Sequence, residues 1–391
     1  VFLRFFSALG IVGLLCLAAC GGVGSAQVTA APAIARTAAP QPSVSPTASP
    51  TPSPTQTRPA PASTPNITPT RTNTPEPSPT AANPYLLAEI FYTQWDHVLA
   101  LAWSPDGSLL AVAAGSQVYI YHYPDLAQAA VLPVGLRPSQ LAFDPFSPPS
   151  SPRLAMAVRD GSLQIWDPLN EVLLASWEAH RKSANSLMFS PDGASLASVG
   201  NDAMVRLWDM THFRTTGEAK LDLLAEMVGG AVAVPAVRFS PDGALLASVD
   251  LGLLRLRDPQ TQRLVRTLRT ETSVFNIEFS PDGRWLAAAE LDNQLQVWDA
   301  TSGELAYTLI VPGRWTGRPF LWAAAFNSAG SLLAAGSSTG RIAVWSAADQ
   351  ASILDVFGHT RGCTSLAFHP QANILATGGL DGVLRIWTLA P

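Results

Sequence analysis

Phe189-Ser190-Pro191-Asp192-Gly193, continuing through Ala194-Ser195-Leu196-Ala197-Ser198 and closing at Leu207-Trp208-Asp209, is the stretch that decides how this chain folds. Proline fixes φ at the second position of the Ser-Pro-Asp-Gly unit, and glycine accepts a positive φ at the fourth. That combination makes a tight hairpin between two strands. The unit recurs as Trp103 before Ser104-Pro105-Asp106-Gly107, Phe239 before Ser240-Pro241-Asp242-Gly243, and Phe279 before Ser280-Pro281-Asp282-Gly283. Degenerate copies fill the gaps: Phe143 before Asp144-Pro145, Phe326 before Asn327-Ser328-Ala329-Gly330, and Phe368 before His369-Pro370. Successive aromatic landmarks stand 40, 46, 50, 40, 47 and 42 residues apart, which defines seven repeats of one supersecondary unit. Each unit ends on an aromatic strand: Ile120-Tyr121, Ile165-Trp166-Asp167, Leu207-Trp208-Asp209, Val297-Trp298-Asp299, Val344-Trp345-Ser346 and Ile386-Trp387-Thr388. The fourth offers Leu256-Arg257-Asp258 instead.

Outward from the repeats, the 391 residues divide unevenly. Length alone suggests two or three domains, but a single repeating architecture over 85–391 accounts for it. Residues 40–80 hold 13 Pro, 10 Thr and 6 Ser, a composition that cannot bury a core and predicts a disordered Pro/Thr/Ser-rich linker over 20–84. The net charge is −5. Four arginines and one glutamate lie in 1–84, so residues 85–391 carry 20 basic against 28 acidic side chains, or −8. Such a balance argues against a partner held by counterion release from phosphates, and no nucleic-acid ligand is expected. Cys363 is the single cysteine of the repeat region, so no disulfide is expected within it, and it is read as a small buried hydrophobe.

Val1–Ala19 carries one charge, Arg4, and then an apolar run from Phe5 that suits the hydrophobic region of a secretory signal and is short for a spanning helix. The following Leu17-Ala18-Ala19-Cys20-Gly21-Gly22 resembles the lipobox of bacterial lipoproteins. That resemblance implies a signal peptide over 1–19, cleavage before Cys20, lipidation (palmitate) on Cys20, and a membrane-anchored, extracytoplasmic chain at a bacterial cell envelope. The alternatives are an ordinary signal peptide cut near the same place and a retained anchor helix.

The period near 44, the Ser-Pro-Asp-Gly turn and the terminal Trp-Asp together resemble the WD-repeat family of β-propellers over residues 85–391. The implied fold is all-β, a seven-bladed WD-repeat β-propeller following the linker. Repeat seven supplies three strands, and Leu86–Tyr92 is placed to complete its blade and close the ring. The resemblance further implies a hydrogen-bonded brace of His, Ser or Thr, Asp and Trp, which matches His180, Ser198, Asp202, Trp208 and His359, Thr377, Asp381, Trp387. In the other five repeats the histidine position holds Gln94, Val134, Gly230, Thr270 and Gly317, so the brace is missing or partial there.

No phosphate loop, His-Glu-x-x-His, cysteine pair or nucleophile elbow is present, and neither a cofactor, a metal nor a catalytic residue is expected. His97, His122, His212 and His369 lack ligand spacing and are read as surface or turn residues. Arg263, Arg266 and Arg269 are read as a solvated outer edge. In this family's fold the loops before the first strand and after the second share one face, here called the top. Two lengthened top loops, Ala225–Pro235 and Val311–Trp322, are candidate contacts. Arg314, Trp315 and Arg318 concentrate the residue types that dominate protein interfaces, with Arg181, Lys182 and Arg361 on the same face. The other possibility is that these aromatics fold back on the rim. The reading is a monomeric, non-enzymatic protein-interaction scaffold. The alternative is an envelope propeller whose central top opening binds or hydrolyses a small molecule.

Overall fold

The computed structural model describes residues 85–92, 96–217, 221–230, 233–250, 252–312 and 319–389. The leader, Cys20 and the linker lie outside them. Among the described residues the chain is all-β apart from one short helix, Thr211–Thr216. No helix there is long and apolar enough to cross a membrane. Seven four-stranded antiparallel sheets form the blades. In order they span residues 98–132, 138–178, 184–228, 237–269, 274–310, 321–357 and 363–388, the last joined by Leu86–Phe91 as its outermost strand. The innermost strands touch in succession, and that of blade 7, Cys363–Phe368, returns to that of blade 1, Val98–Trp103.

The turn chemistry is wired as its sequence demands. In the third blade the Ser190 hydroxyl donates to Asp192 Oδ1 at 2.5 Å, Ala194 N–H donates to the same oxygen at 3.0 Å, and Ser195 N–H donates to Ser190 Oγ at 2.9 Å. The same bonds recur around Asp242 and Asp282. Those donors hold the three aspartates below their ordinary carboxyl range. Where the unit is degenerate a substitute does the same work: Asn327 Oδ1 accepts from Leu332 N–H at 2.8 Å in blade 6.

Side chains alternate between the two faces of a strand, so each blade presents an apolar face to both neighbours. The second strands Leu109–Ala114, Leu332–Ser337 and Ile374–Gly379 are buried along their whole length, which their small residues permit. The hydrophobic core is divided into seven clusters, one at each junction. Ile120 and Leu132 of blade 1 meet Phe143 and Met156 of blade 2, and Leu163 and Ile165 of blade 2 meet Leu187 and Phe213 of blade 3. The pattern continues round to Leu375 and Trp387 against Ile342 and Val344, and to Leu384 and Ile386 against Leu110 and Val112. Cys363 is fully buried in the junction of blades 6 and 7, and burial pushes its thiol up, away from thiolate chemistry.

Strand Leu86–Phe91 pairs with Val383–Thr388, aligning Leu86 with Trp387, Glu89 with Arg385 and Phe91 with Val383. Thr388 N–H donates to Tyr85 O at 2.7 Å, Tyr92 N–H donates to Gly382 O at 2.8 Å, and the Tyr92 hydroxyl donates to that of Tyr121 in blade 1 at 2.9 Å. Three sequence expectations change. The segment 225–228 belongs to the outer strand Leu223–Val228, not to a top loop, because its alternating exposure lets Ala225 and Met227 join the core. Arg266 is not simply solvated: its guanidinium donates to Ser302 O at 2.5 Å and Thr301 O at 2.6 Å, tying blade 4 to blade 5. His369 is buried, its ring 4.9 Å from Trp103 and 5.0 Å from Tyr123, with Nε2 3.1 Å from Gly107 O. It stands where four of the other turns carry serine and clamps blade 7 to blade 1.

Deleting Leu86–Phe91 unpairs the last strand and removes Glu89 from Arg385. The deletion should lower the melting midpoint of the whole propeller and promote self-association through the bare edge; a midpoint equal to that of the full chain would refute closure by this strand.

Candidate functional site

In blade 3 four side chains from separate strands and turns form one relay. Trp208 Nε1–H donates to Ser198 Oγ at 3.0 Å, the Ser198 hydroxyl donates to His180 Nε2 at 2.9 Å, and His180 Nδ1–H donates to Asp202 Oδ1 at 2.8 Å. This direction gives every polar atom a partner and leaves the imidazole neutral. Blade 7 repeats it, with Trp387 to Thr377 at 2.9 Å, Thr377 to His359 at 2.9 Å and His359 to Asp381 at 2.9 Å. The close approach of each ring requires glycine opposite. A Cβ on Gly200 would lie 2.7 Å from His180 Nδ1, and one on Gly379 would lie 2.4 Å from His359 Nδ1. Burial holds both histidines below their ordinary value. Burial alone would raise Asp202 and Asp381, but the bonds from Arg206 and His180, and from His359 and Arg385, outweigh it and hold both at about 2.

Sequence reasoning missed the outer half of this brace. Arg206 Nη1 donates to Asp202 Oδ2 at 2.7 Å and its Nε to Glu226 at 2.7 Å, while Arg385 donates to Asp381 at 3.2 Å and pairs with Glu89. Glu89 belongs to the closing strand, so ring closure also completes the blade 7 ion network. The signal was an arginine two positions before the closing tryptophan, present in Val205-Arg206-Leu207-Trp208 and Leu384-Arg385-Ile386-Trp387. The His-Ser-Asp set does not carry a hydrolase: the Ser198 side chain is fully buried and its oxygen is engaged by Trp208 and His180.

Blades 4 and 5 show what fills the vacated position. In blade 4 glycine and the polar residue exchange places: Gly230 stands at the histidine position, Asp250 faces it, and Arg255 pairs with Asp250 at 2.8 Å. Arg257 replaces the tryptophan and donates to Ser248 Oγ at 3.0 Å, as Trp208 does to Ser198. In blade 5 Glu290 takes the glycine position and accepts from Thr272 Oγ1 at 2.8 Å, with its other oxygen unpartnered among the described residues. Burial pushes its carboxyl up to about 7. Ala288 stands where Ser198 would be, and Trp298 Nε1 has no partner among the described residues.

On the top face Arg181, Lys182 and Arg361 are exposed in the loops that lead into blades 3 and 7. Arg314, Trp315 and Arg318 lie outside the described residues. The expected loop ends earlier than Trp322, which lies on the innermost strand of blade 6, Leu321–Phe326; Phe320 just before it and Trp322 both pack against Phe275 of blade 5, with ring centroids 5.3 Å from it and 4.9 Å from each other. Among the described residues no group of three or more His, Cys, Asp or Glu side chains could hold a metal ion.

A closed ring of seven blades, braced from tryptophan to aspartate at two of them, defines a β-propeller of the WD type. The WD40 family, described as WD domain, G-beta repeat, matches residues 89–122, 171–209, 262–299, 311–346 and 351–388. The chain carries WD40 repeats and is a WD-repeat propeller. The inner three strands of blades 2 and 4 are unmatched, and their turn around Asp144 and closing Arg257 depart from the pattern. The chain is similar to a periodic tryptophan protein 2 homolog of Dictyostelium discoideum, 37% identical over 58% of this chain and 24% of that protein. It is similar to the small ribosomal subunit protein RACK1y of Oryza sativa, 25% identical over 39% and 46%. It is also similar to the COMPASS component SWD3 of Saccharomyces cerevisiae, 25% identical over 53% and 66%. In each case the chain covers less than two thirds of the relative's own length.

Ser198→Ala leaves Trp208 and His180 each short of a buried partner and should cost about 2 kcal/mol, measured by denaturant unfolding. His180 and His359 have folded-state values below the unfolded one, so their contribution is present at neutral pH and is lost as pH falls below about 6.5. Asp202 and Asp381 act in the same sense from about 4 down to 2. A His180→Asn, His359→Asn double variant should flatten the melting profile between pH 7 and 5; a slope equal to the parent's would contradict this assignment. Glu290 has the opposite sign: its raised value means that stability is lost as pH climbs from about 4.5 to 7. Glu290→Gln should therefore melt above the parent at pH 8, with the difference shrinking as pH falls to 5.

Proposed function

We propose that this chain is an exported propeller held at a bacterial membrane by a lipid on Cys20 and acting as a non-enzymatic scaffold for protein partners. The observation that carries the scaffold reading is the contrast between a core repeated at seven junctions and a top face that differs from blade to blade. A rigid ring with dissimilar loops offers surfaces for recognition and brings no inherent reaction. The names of two relatives, a small ribosomal subunit protein and a COMPASS component, describe members of larger assemblies, which supports the same reading. The location rests on Leu17-Ala18-Ala19-Cys20 following the apolar run, the sequence that lipid attachment requires, and the Pro/Thr/Ser-rich linker then serves as a spacer from the membrane surface.

Metabolic labelling with an acyl probe should mark the parent chain and not Cys20→Ala, which should leave the membrane fraction; label persisting on the variant would overturn the anchor. A photo-crosslinker at Lys182 should capture discrete partner proteins in intact cells, while one at Arg263 on the outer edge should not. Equal capture at the two positions would refute a top-face scaffold.

A further inference from the structure

The top face carries a charge arrangement that the braces do not use. His97 and Arg137 occupy equivalent positions, each immediately before the innermost strand of its blade, at the mouth of the axis. Arg159 opens the turn after the second strand of blade 2, and its N–H donates to Arg137 O at 3.3 Å, so two guanidinium side chains leave neighbouring backbone positions. Arg361 stands in the loop leading into the innermost strand of blade 7. His97 Nδ1–H donates to Leu380 O at 2.7 Å, which carries its ring across the junction between blades 1 and 7. The groups sense one another. Burial first, and then the charges of Arg137 and Arg361, lower His97, while burial and Arg137 lower Arg159.

Arg137 and Arg159 are half-buried, and neither they nor Arg361 has a carboxylate partner among the described residues. Elsewhere most buried arginines have a carboxylate, Arg206 with Asp202 and Glu226, Arg238 with Glu278, Arg255 with Asp250, and Arg341 with Asp355, while Arg257 has the Ser248 hydroxyl and Val228 O as acceptors in its place. Leaving two desolvated guanidiniums side by side costs free energy unless an anion completes them. The nearby acids do not fill that role. Asp160 accepts from the N–H and hydroxyl of Ser162, and Asp202 and Asp381 are held in the braces. Asp96, beside His97, is engaged as well.

We propose that Arg137, Arg159 and Arg361, set on either side of the neutral ring of His97, form an anion-binding mouth that receives an acidic peptide segment of a protein partner. This deepens the scaffold reading and rests on it. The cations stand on blades 7 and 2 and continue to Arg181 and Lys182 on blade 3, an arc suited to an extended chain of carboxylates and not to one small oxyanion. The charge of −8 over residues 85–391 disfavours a nucleic-acid polyanion, so the local positive mouth on an acidic ring selects short acidic segments.

The test uses the purified propeller-bearing chain and a fluorescein-labelled hexaglutamate peptide, read by polarisation. The parent should bind it, with affinity falling as salt rises from 50 to 300 mM, and should not bind hexaglutamine. Arg137→Gln with Arg159→Gln should weaken hexaglutamate at least tenfold, whereas Arg263→Gln, the same charge loss on the outer edge, should leave it unchanged. If the double variant fails to fold, exposed Arg361→Gln carries the test with about a threefold loss. Parent binding absent, or equal in the variants, overturns the proposal. Displacement by inorganic phosphate at equal concentration, or tighter binding of a single-stranded oligonucleotide, overturns the peptide assignment. Peptide binding retained while Lys182 captures no partner in cells would instead overturn the scaffold reading and leave the site standing.

Discussion

No blade of this protein owns a core. Each apolar cluster lies at a junction, built half from one sheet and half from the next, so a blade taken alone would expose both of its faces to water. The ring follows from that constraint, because only a closed circle gives every face a partner and removes the need for special end blades. Alanine and glycine in the second strands follow too, since wedges that converge on an axis have little width to spare there. The burden falls on the place where the circle shuts. There backbone pairing along Leu86–Phe91, the Glu89–Arg385 ion pair, the Tyr92–Tyr121 hydroxyls and the buried His369 act together.

Against this repeated packing, the polar braces are individual. One position on each of two elements must be shared between a ring and a backbone hydrogen, and the blades solve it differently. Histidine faces glycine in blades 3 and 7, glycine faces aspartate in blade 4, and in blade 5 glutamate takes the glycine position and is met by Thr272, two residues beyond the histidine position. Blade 4 keeps a donor to its serine by exchanging an indole for a guanidinium, whereas blade 5 keeps the indole and loses the acceptor. Blades of equal shape therefore differ in their response to acid and alkali, which a count of repeats would not convey.

The architecture was legible because its determinants are local and recur. Ser-Pro-Asp-Gly sets a turn within four residues, the closing tryptophan sets the end of the third strand, and seven copies make the period visible through the degenerate turns at Asp144, Asn327 and His369. The closing strand was legible from the three-stranded seventh repeat. What escaped depends on residues far apart in sequence. The partners Glu226 and Glu89 on outer strands carry no motif, and the fate of Arg257 depends on Ser248 across the sheet. The assignment of 225–228 to a loop failed because a run rich in Ala, Met, Val and Gly looks flexible until a neighbouring strand gives it an edge to pair with. The mouth of cations escaped for the same reason, being assembled from blades 2 and 7, whose contributors Arg159 and Arg361 stand about 200 positions apart in the sequence.

The pairing of Glu89 with Arg385 joins residues 296 positions apart. A ribosome adding about 5–20 residues per second takes roughly 15–60 s to bridge that interval. Throughout it the first strand is present without its partner, and the ring has no way to lock. The order of synthesis thus keeps the nascent chain short of its final state until the last blade emerges. A polypeptide whose first and last strands are each other's missing half carries its own timer against premature folding.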